Sequence, residues 1–131
     1  MSDDARMKRA EGILDQVFTP AWRQHGGGVA WPSQAGKDFA RLAVEHCYGD
    51  AWARGGKLDA KTRILLTITV LTMLGNLDEL KLHVQGALNL GHEPDDIVEL
   101  YIQLLPYIGT PLCVQGMRVA GQVFQERAKQ K

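Results

Sequence analysis

Residues 60–74 constrain the fold of this chain more than any other segment. Ile64, Leu65, Leu66, Ile68, Val70, Leu71, Met73 and Leu74 leave that stretch without a polar face. A helix of this kind sits in the centre of a bundle or is covered by another subunit. The apolar run is too short to cross a bilayer, so a buried helix is predicted. Asp59 suits its N-cap and Gly75 its C′ position.

The punctuation on either side is also helical. Ile13, Leu14, Val17 and Phe18 form the apolar stripe of a first helix over 3–18. Thr19-Pro20 ends it, because the residue before proline is pushed out of the α region. An irregular stretch follows over 19–32. It holds the flexible Gly26-Gly27-Gly28 and two large rings, Trp22 and Trp31, that are expected to be buried. Ser33 is a good N-cap for a second helix over 34–52, where Phe39, Leu42, Ala43 and His46 keep the 3.6 period. Asn76-Leu77-Asp78-Glu79 has the form of a capping box and opens a fourth helix to about residue 90. Glu93-Pro94-Asp95-Asp96 opens a fifth, with acids at the positive end of the dipole. Pro106 and Gly109 close it, and Thr110-Pro111 starts a sixth helix to about residue 127. The predicted class is all-α, a single-domain bundle of about six helices over 1–131. Its N-terminal helix and glycine-rich loop occupy 1–33 and its helical core 34–131.

Composition narrows the partners. The chain has 131 residues, the size of one ordinary domain. Lys plus Arg and Asp plus Glu each number 15. A net charge of zero gives no electrostatic reason to expect nucleic acid or a membrane, and it offers little repulsion to self-association. Residues 1–11 are charged and lack the apolar stretch of a signal peptide. The longest uncharged run, 100–117, contains Pro106, Gly109, Pro111 and Gly116 and is a poor membrane span. Cys47 and Cys113 are too few for a disulfide scaffold. They read as reduced core thiols of a cytoplasmic protein.

Chemistry concentrates on the fourth helix. Glu79 and His83 are four apart and share a face. A carboxylate beside an imidazole fixes the ring's tautomer and tunes its pKa, which suits proton transfer. The same spacing also describes an ordinary exposed ion pair worth a few tenths of a kcal/mol. Arg63 reads equally as a buried receptor for a carboxylate and as an exposed partner of Asp59. Glu45 and His46 are adjacent and point to different faces. The bundle metal motif needs Glu-x-x-His on two helices, and it is absent, so no metal is expected. His25 and His92 fall in loop-like segments and are expected to be solvated. The triple glycine has no flanking strand and no following Lys-Ser/Thr, so it reads as a loop or lid rather than a phosphate cradle.

Several blocks carry a family resemblance. Asp50-Ala51-Trp52, Leu58-Asp59-Ala60-Lys61-Thr62-Arg63 and Leu66-Thr67-Ile68 resemble the central block of the carboxymuconolactone decarboxylase family. Glu79-Leu80-Lys81-Leu82-His83-Val84 and Ala87-Leu88-Asn89-Leu90-Gly91 continue it, and Tyr107-Ile108-Gly109-Thr110-Pro111 is similar to its tyrosine–glycine–proline signature. The resemblance spans about 39–124. It implies an all-helical, alkylhydroperoxidase D-like fold that assembles into trimers or hexamers, with the active site near the fourth helix and a subunit interface.

The family has two chemistries. One branch carries Cys-x-x-Cys-x-x-x-His. Setting His83 on that histidine puts Asn76 and Glu79 at the thiol positions, so dithiol peroxide reduction has no nucleophile. The other branch keeps the glutamate and histidine, as here, and converts 4-carboxymuconolactone to an enol-lactone and CO2 without a cofactor. The chain departs from that branch at 18–33, which lacks its arginine-rich segment and following motif. It departs again at Val114-Gln115-Gly116-Met117. Both lie where substrate would be selected.

The resemblance therefore implies a cofactor-free decarboxylase for a small unsaturated lactone or related carboxylic acid. His83 would transfer the proton and Glu79 would orient it. Arg63 would hold the substrate carboxylate, and His46 and Trp52 would line the site. Two alternatives keep the fold: a thiol-dependent hydroperoxide reductase using Cys47 or Cys113, and a non-enzymatic helical oligomer that binds a small ligand.

Overall fold

A computed structural model describes residues 3–25 and 31–130. Among the described residues all regular structure is helical. In chain order the α-helices are α1 (Asp3–Phe18), α2 (Trp22–His25), α3 (Gln34–Val44), α4 (Ala60–Leu74), α5 (Leu77–Asn89), α6 (Pro94–Ile108) and α7 (Thr110–Lys129). No described helix is long and apolar enough to cross a membrane. The chain divides into two compact units, Met1–Ala60 and Lys61–Lys131.

In the first unit α1 buries Ala10, Leu14 and Val17, one stripe at helical spacing. Ser33 caps α3 as expected, its hydroxyl accepting from the Gly36 amide at 3.1 Å. The second predicted helix does not run on as a regular α-helix to residue 52. Its last part is a π-helical turn, Glu45–Ala51, followed by a 3₁₀ turn, Trp52–Arg54. Packing explains the change. Gly49 lies so close to α1 that a Cβ there would stand 2.7 Å from the Arg6 carbonyl oxygen. Charge then fixes the wider turn. Arg6 grips Asp50 with two bonds, at 3.1 and 2.5 Å. Arg9 donates to the Gly49 carbonyl at 3.3 Å. Glu45 is buried but lies 3.7 Å from Arg6 and 3.2 Å from Arg41. Tyr48 meets Phe18 edge-on, with centroids 6.0 Å apart, and lies 5.8 Å from Trp52.

Three expectations in this unit need correction. The irregular stretch contains the short helix α2, whose Trp22 indole donates to Asp15 at 2.8 Å. Trp31 is exposed rather than buried. It is its main chain that packs, with the carbonyl oxygen lying against Gly36 in the cap of α3. Phe39 and Leu42, on the 3.6-period stripe, are more than half exposed. Residues 26–30, with the triple glycine, lie outside the described residues.

The second unit is built on α4 to α7. Helix α4 buries Ile64, Ile68 and Thr72, while Leu66, Val70, Met73 and Leu74 are more than half exposed. Within its own unit the helix therefore buries one face and leaves a second apolar face exposed. Gly75 follows it at φ +68°, as the sequence predicts. Asn76 caps α5, and Glu93 and Asp96 form the capping box of α6. Inside the unit Thr72 donates to the Ile68 carbonyl at 2.8 Å, and its hydroxyl meets that of Tyr101 at 2.8 Å. Helix α7 approaches this pair through Gly116, where a Cβ would stand 2.5 Å from the Tyr101 hydroxyl.

Two glycines of α7 should therefore respond in opposite directions. Tyr101 is buried and tied to Thr72, so Gly116→Ala forces a clash that the ring cannot relieve, costing about 1–3 kcal/mol. Gly121 has nothing within 4 Å of an added Cβ. Gly121→Ala should stabilise the helix by about 0.5–1 kcal/mol. Urea midpoints of the two variants check this, and shifts of the same sign contradict the packing described.

Candidate active site

The first turn of α5 assembles the candidate site. Asn76 Oδ1 accepts from the Glu79 amide at 3.5 Å, and Asp78 and Glu79 supply the acids of the first turn. Leu80, Val84 and Ala87 are fully buried, which fixes how α5 is rotated. That rotation puts His83 inward and leaves Glu79 at the surface. Their side chains are 7% and 49% exposed. The pair is thus neither a solvated ion pair nor a fully buried dyad.

The bond that orients the ring is not the one expected. Nδ1 of His83 donates to the main-chain oxygen of Glu79 at 2.7 Å. The Glu79 carboxylate stands 3.9 Å from the same nitrogen, beyond hydrogen-bond reach. Along a helix, a side chain at i+4 reaches the carbonyl at i readily, and here that carbonyl is the better placed acceptor. Burial pushes the imidazole pKa below its usual value, outweighing the opposing effects of the bond to the Glu79 carbonyl and of the carboxylate charge.

The remaining candidates are distributed over both units. Arg63 lies one turn into α4 and is partly buried, with its carbonyl accepting from the Thr67 hydroxyl at 3.1 Å. His46 belongs to the first unit, on the π-helical turn. Its side chain is 81% exposed and lies 3.9 Å from Asp50. Trp52 belongs to the same unit and is partly buried against Tyr48. The structure thus brings Glu79 and His83 into direct contact. Arg63 belongs to the same unit as that pair, and His46 and Trp52 to the other.

Other expectations shift. His92 is not solvated. Its Nε2 donates to the Lys61 carbonyl at 2.9 Å and its Nδ1 lies 3.5 Å from Asp96, because Gly91 turns the chain back toward the start of α4. Cys113 is buried, and burial pushes its thiol pKa up, away from a reactive thiolate. Cys47, expected in the core, is exposed on the π-helical turn. Among the described residues no three of His, Cys, Asp and Glu converge as a metal site requires. Sequence reasoning missed an apolar groove of about 470 Å³ between α6 and α7, lined by Ile102, Leu105, Val114 and Met117 with Arg118 at its edge. The apolar spacing of 98, 101, 102 and 105 was its only signal.

Comparison with known proteins places these residues in context. The model of the carboxymuconolactone decarboxylase family matches residues 37–122. The chain is 36% identical over 126 residues to 4-carboxymuconolactone decarboxylase of Acinetobacter baylyi, covering 96% of this chain and 92% of that protein. It is 35% identical over 85 residues to nitrosuccinic acid decarboxylase npaB of Metarhizium robertsii, covering 65% and 59%. It is 36% identical, again over 85 residues, to an uncharacterised 15.0 kDa protein of Paracoccus denitrificans, covering 63% of each.

The setting of His83 has a thermodynamic signature. A histidine whose native pKa is lowered binds fewer protons folded than unfolded, so stability rises with pH across that gap. Its contribution is fully present above about pH 6.5, the unfolded value, and is lost as pH falls through the lowered native pKa. The lowered carboxylates Asp15, Asp50 and Asp96 act only below about pH 4, so the windows separate. Urea midpoints should fall between pH 7.5 and 5 for the wild type, and His83→Gln should flatten that slope. An unchanged slope in the variant contradicts this assignment.

Proposed function

Since the chain belongs to the carboxymuconolactone decarboxylase family, we propose that it is a cofactor-free decarboxylase in which His83 carries the proton. Its substrate is a small unsaturated lactone or related carboxylic acid. The observation that carries this reading is the likeness to a 4-carboxymuconolactone decarboxylase along nearly the whole of both chains, in a chain whose Glu79 and His83 are in contact. Two of the relatives are named as decarboxylases of different acids, so loss of CO2 is what their names share.

The chemistry asks little of the protein. When the carbon–carboxylate bond of an unsaturated lactone breaks, the electron pair enters the conjugated carbonyl and CO2 leaves. The dienolate then takes one proton to become the enol-lactone. The enzyme has to orient the carboxylate, stabilise the developing charge and deliver that proton. Arg63 is assigned to the substrate carboxylate, with His46 and Trp52 as further lining groups. An anionic substrate opposes the effect of burial on His83 and favours the imidazolium that donates the proton. Glu79 assists as a nearby negative charge.

The uncovered apolar face of α4 supports a homo-oligomer, trimeric or hexameric by family resemblance. Light scattering should give three or six times 14.5 kDa, and a mass near 14.5 kDa at micromolar concentration contradicts the assembly.

Turnover of 4-carboxymuconolactone, followed by CO2 release, tests the activity, with related lactones and nitrosuccinate next. His83→Gln should lower kcat by roughly 10²–10⁴-fold with helix content intact. Glu79→Gln should cost about tenfold or less, the scale of a partly exposed charge pair. If His83→Gln processes the substrate at the wild-type rate, the histidine is structural and the proposed mechanism fails.

A further inference from the structure

The second unit presents two exposed apolar surfaces of matching form. One is a ridge on α4. Leu66, Val70, Met73 and Leu74 are each more than half exposed, and their spacing sets them in one helical stripe. The other is the groove of about 470 Å³ between α6 and α7, with Ile102 and Leu105 on one wall and Val114 and Met117 on the other. The ridge is turned away from the groove of its own chain. Thr72 meets Tyr101 from the far side of α4, because two positions along a helix set Val70 about 200° around from Thr72.

We propose that the α4 ridge of one copy of this chain seats in the α6–α7 groove of a second copy. This contact rests on the homo-oligomeric reading above and supplies its two surfaces. The lengths agree. The ridge covers 66–74, and the groove walls cover 98–105 and 110–118, each about 10–12 Å along a helix axis.

The charges agree as well. Residues 64–77 carry no charge, so the ridge brings none into an apolar groove. The exposed acid Asp78 follows directly after it, in the first turn of α5. Among the described residues that line the groove, Arg118 is the only charged one, and it lies exposed at the end away from the α6–α7 turn. With the C-terminal end of α4 laid toward that end, Asp78 of one copy faces Arg118 of the other. The negative end of the α4 dipole faces the same cation. Each chain supplies one ridge and one groove, so copies match one for one. The contact closes either reciprocally in a two-fold pair or around a ring.

Two full-length variants, each lacking one surface, test the contact. Val70→Asp places a charge on the ridge and Ile102→Asp places one in the groove. Both positions are more than half exposed, so circular dichroism should show unchanged helix content. By light scattering each variant alone should lose the wild-type mass and fall to 14.5 kDa. A concentrated equimolar mixture should give twice that mass, because one variant keeps its groove and the other its ridge. Should Ile102→Asp not fold, Val114→Asp makes the same test on the other wall. A variant that keeps the wild-type mass alone, or a mixture that stays at 14.5 kDa, overturns the contact while an oligomeric wild type leaves the homo-oligomeric reading standing. A monomeric wild type overturns both.

Discussion

A buried imidazole is costly unless each of its states finds a partner, and the bond from His83 to the Glu79 carbonyl meets that requirement for the neutral ring. The rest of the candidate site follows from it. Asn76 fixes where α5 begins, the buried side chains of Leu80, Val84 and Ala87 fix its rotation, and the helical repeat then sets the ring over a carbonyl one turn back. The acid that a dyad would have used is left at the surface as a charge. Burial lowers the pKa of the ring and so favours its uncharged form.

The same economy of polar groups governs both units. Among the described residues no buried side-chain nitrogen or oxygen lacks a partner. In the first unit Glu45 is buried between Arg6 and Arg41, and removal of either arginine leaves a less compensated charge. In the second unit Tyr101 and Thr72 satisfy each other, and Gly116 supplies the space for the ring. Polar pairs of this kind fix which side chains sit where, while the apolar contacts around them supply most of the stabilisation.

Local signals were legible in the sequence and long-range ones were not. The bounds of α1 and α4 agree with those read from Thr19-Pro20 and from Asp59 and Gly75, because caps and breakers act within a few residues. The π-helical turn was invisible. It arises where Gly49 meets the Arg6 carbonyl, a contact 43 positions apart in the chain. For the same reason Cys47 and Trp31 were misplaced, and His92 was not recognised as bonded to Lys61. The i,i+4 spacing of Glu79 and His83 places both on one face of α5, where they lie 3.9 Å apart. Spacing alone does not reveal that a backbone atom would outcompete a carboxylate for the ring.

Membership of a decarboxylase-named family and a histidine held by its own helix together make proton delivery by His83 the central claim. The most direct measurement is the face on which hydrogen enters the product. Turnover of 4-carboxymuconolactone in D2O should place one deuteron on a single face of the carbon next to the lactone carbonyl. In His83→Gln the reaction should be slow and the deuteron should appear on both faces. A variant that delivers its deuteron to the same single face at the wild-type rate would show that His83 is not the donor.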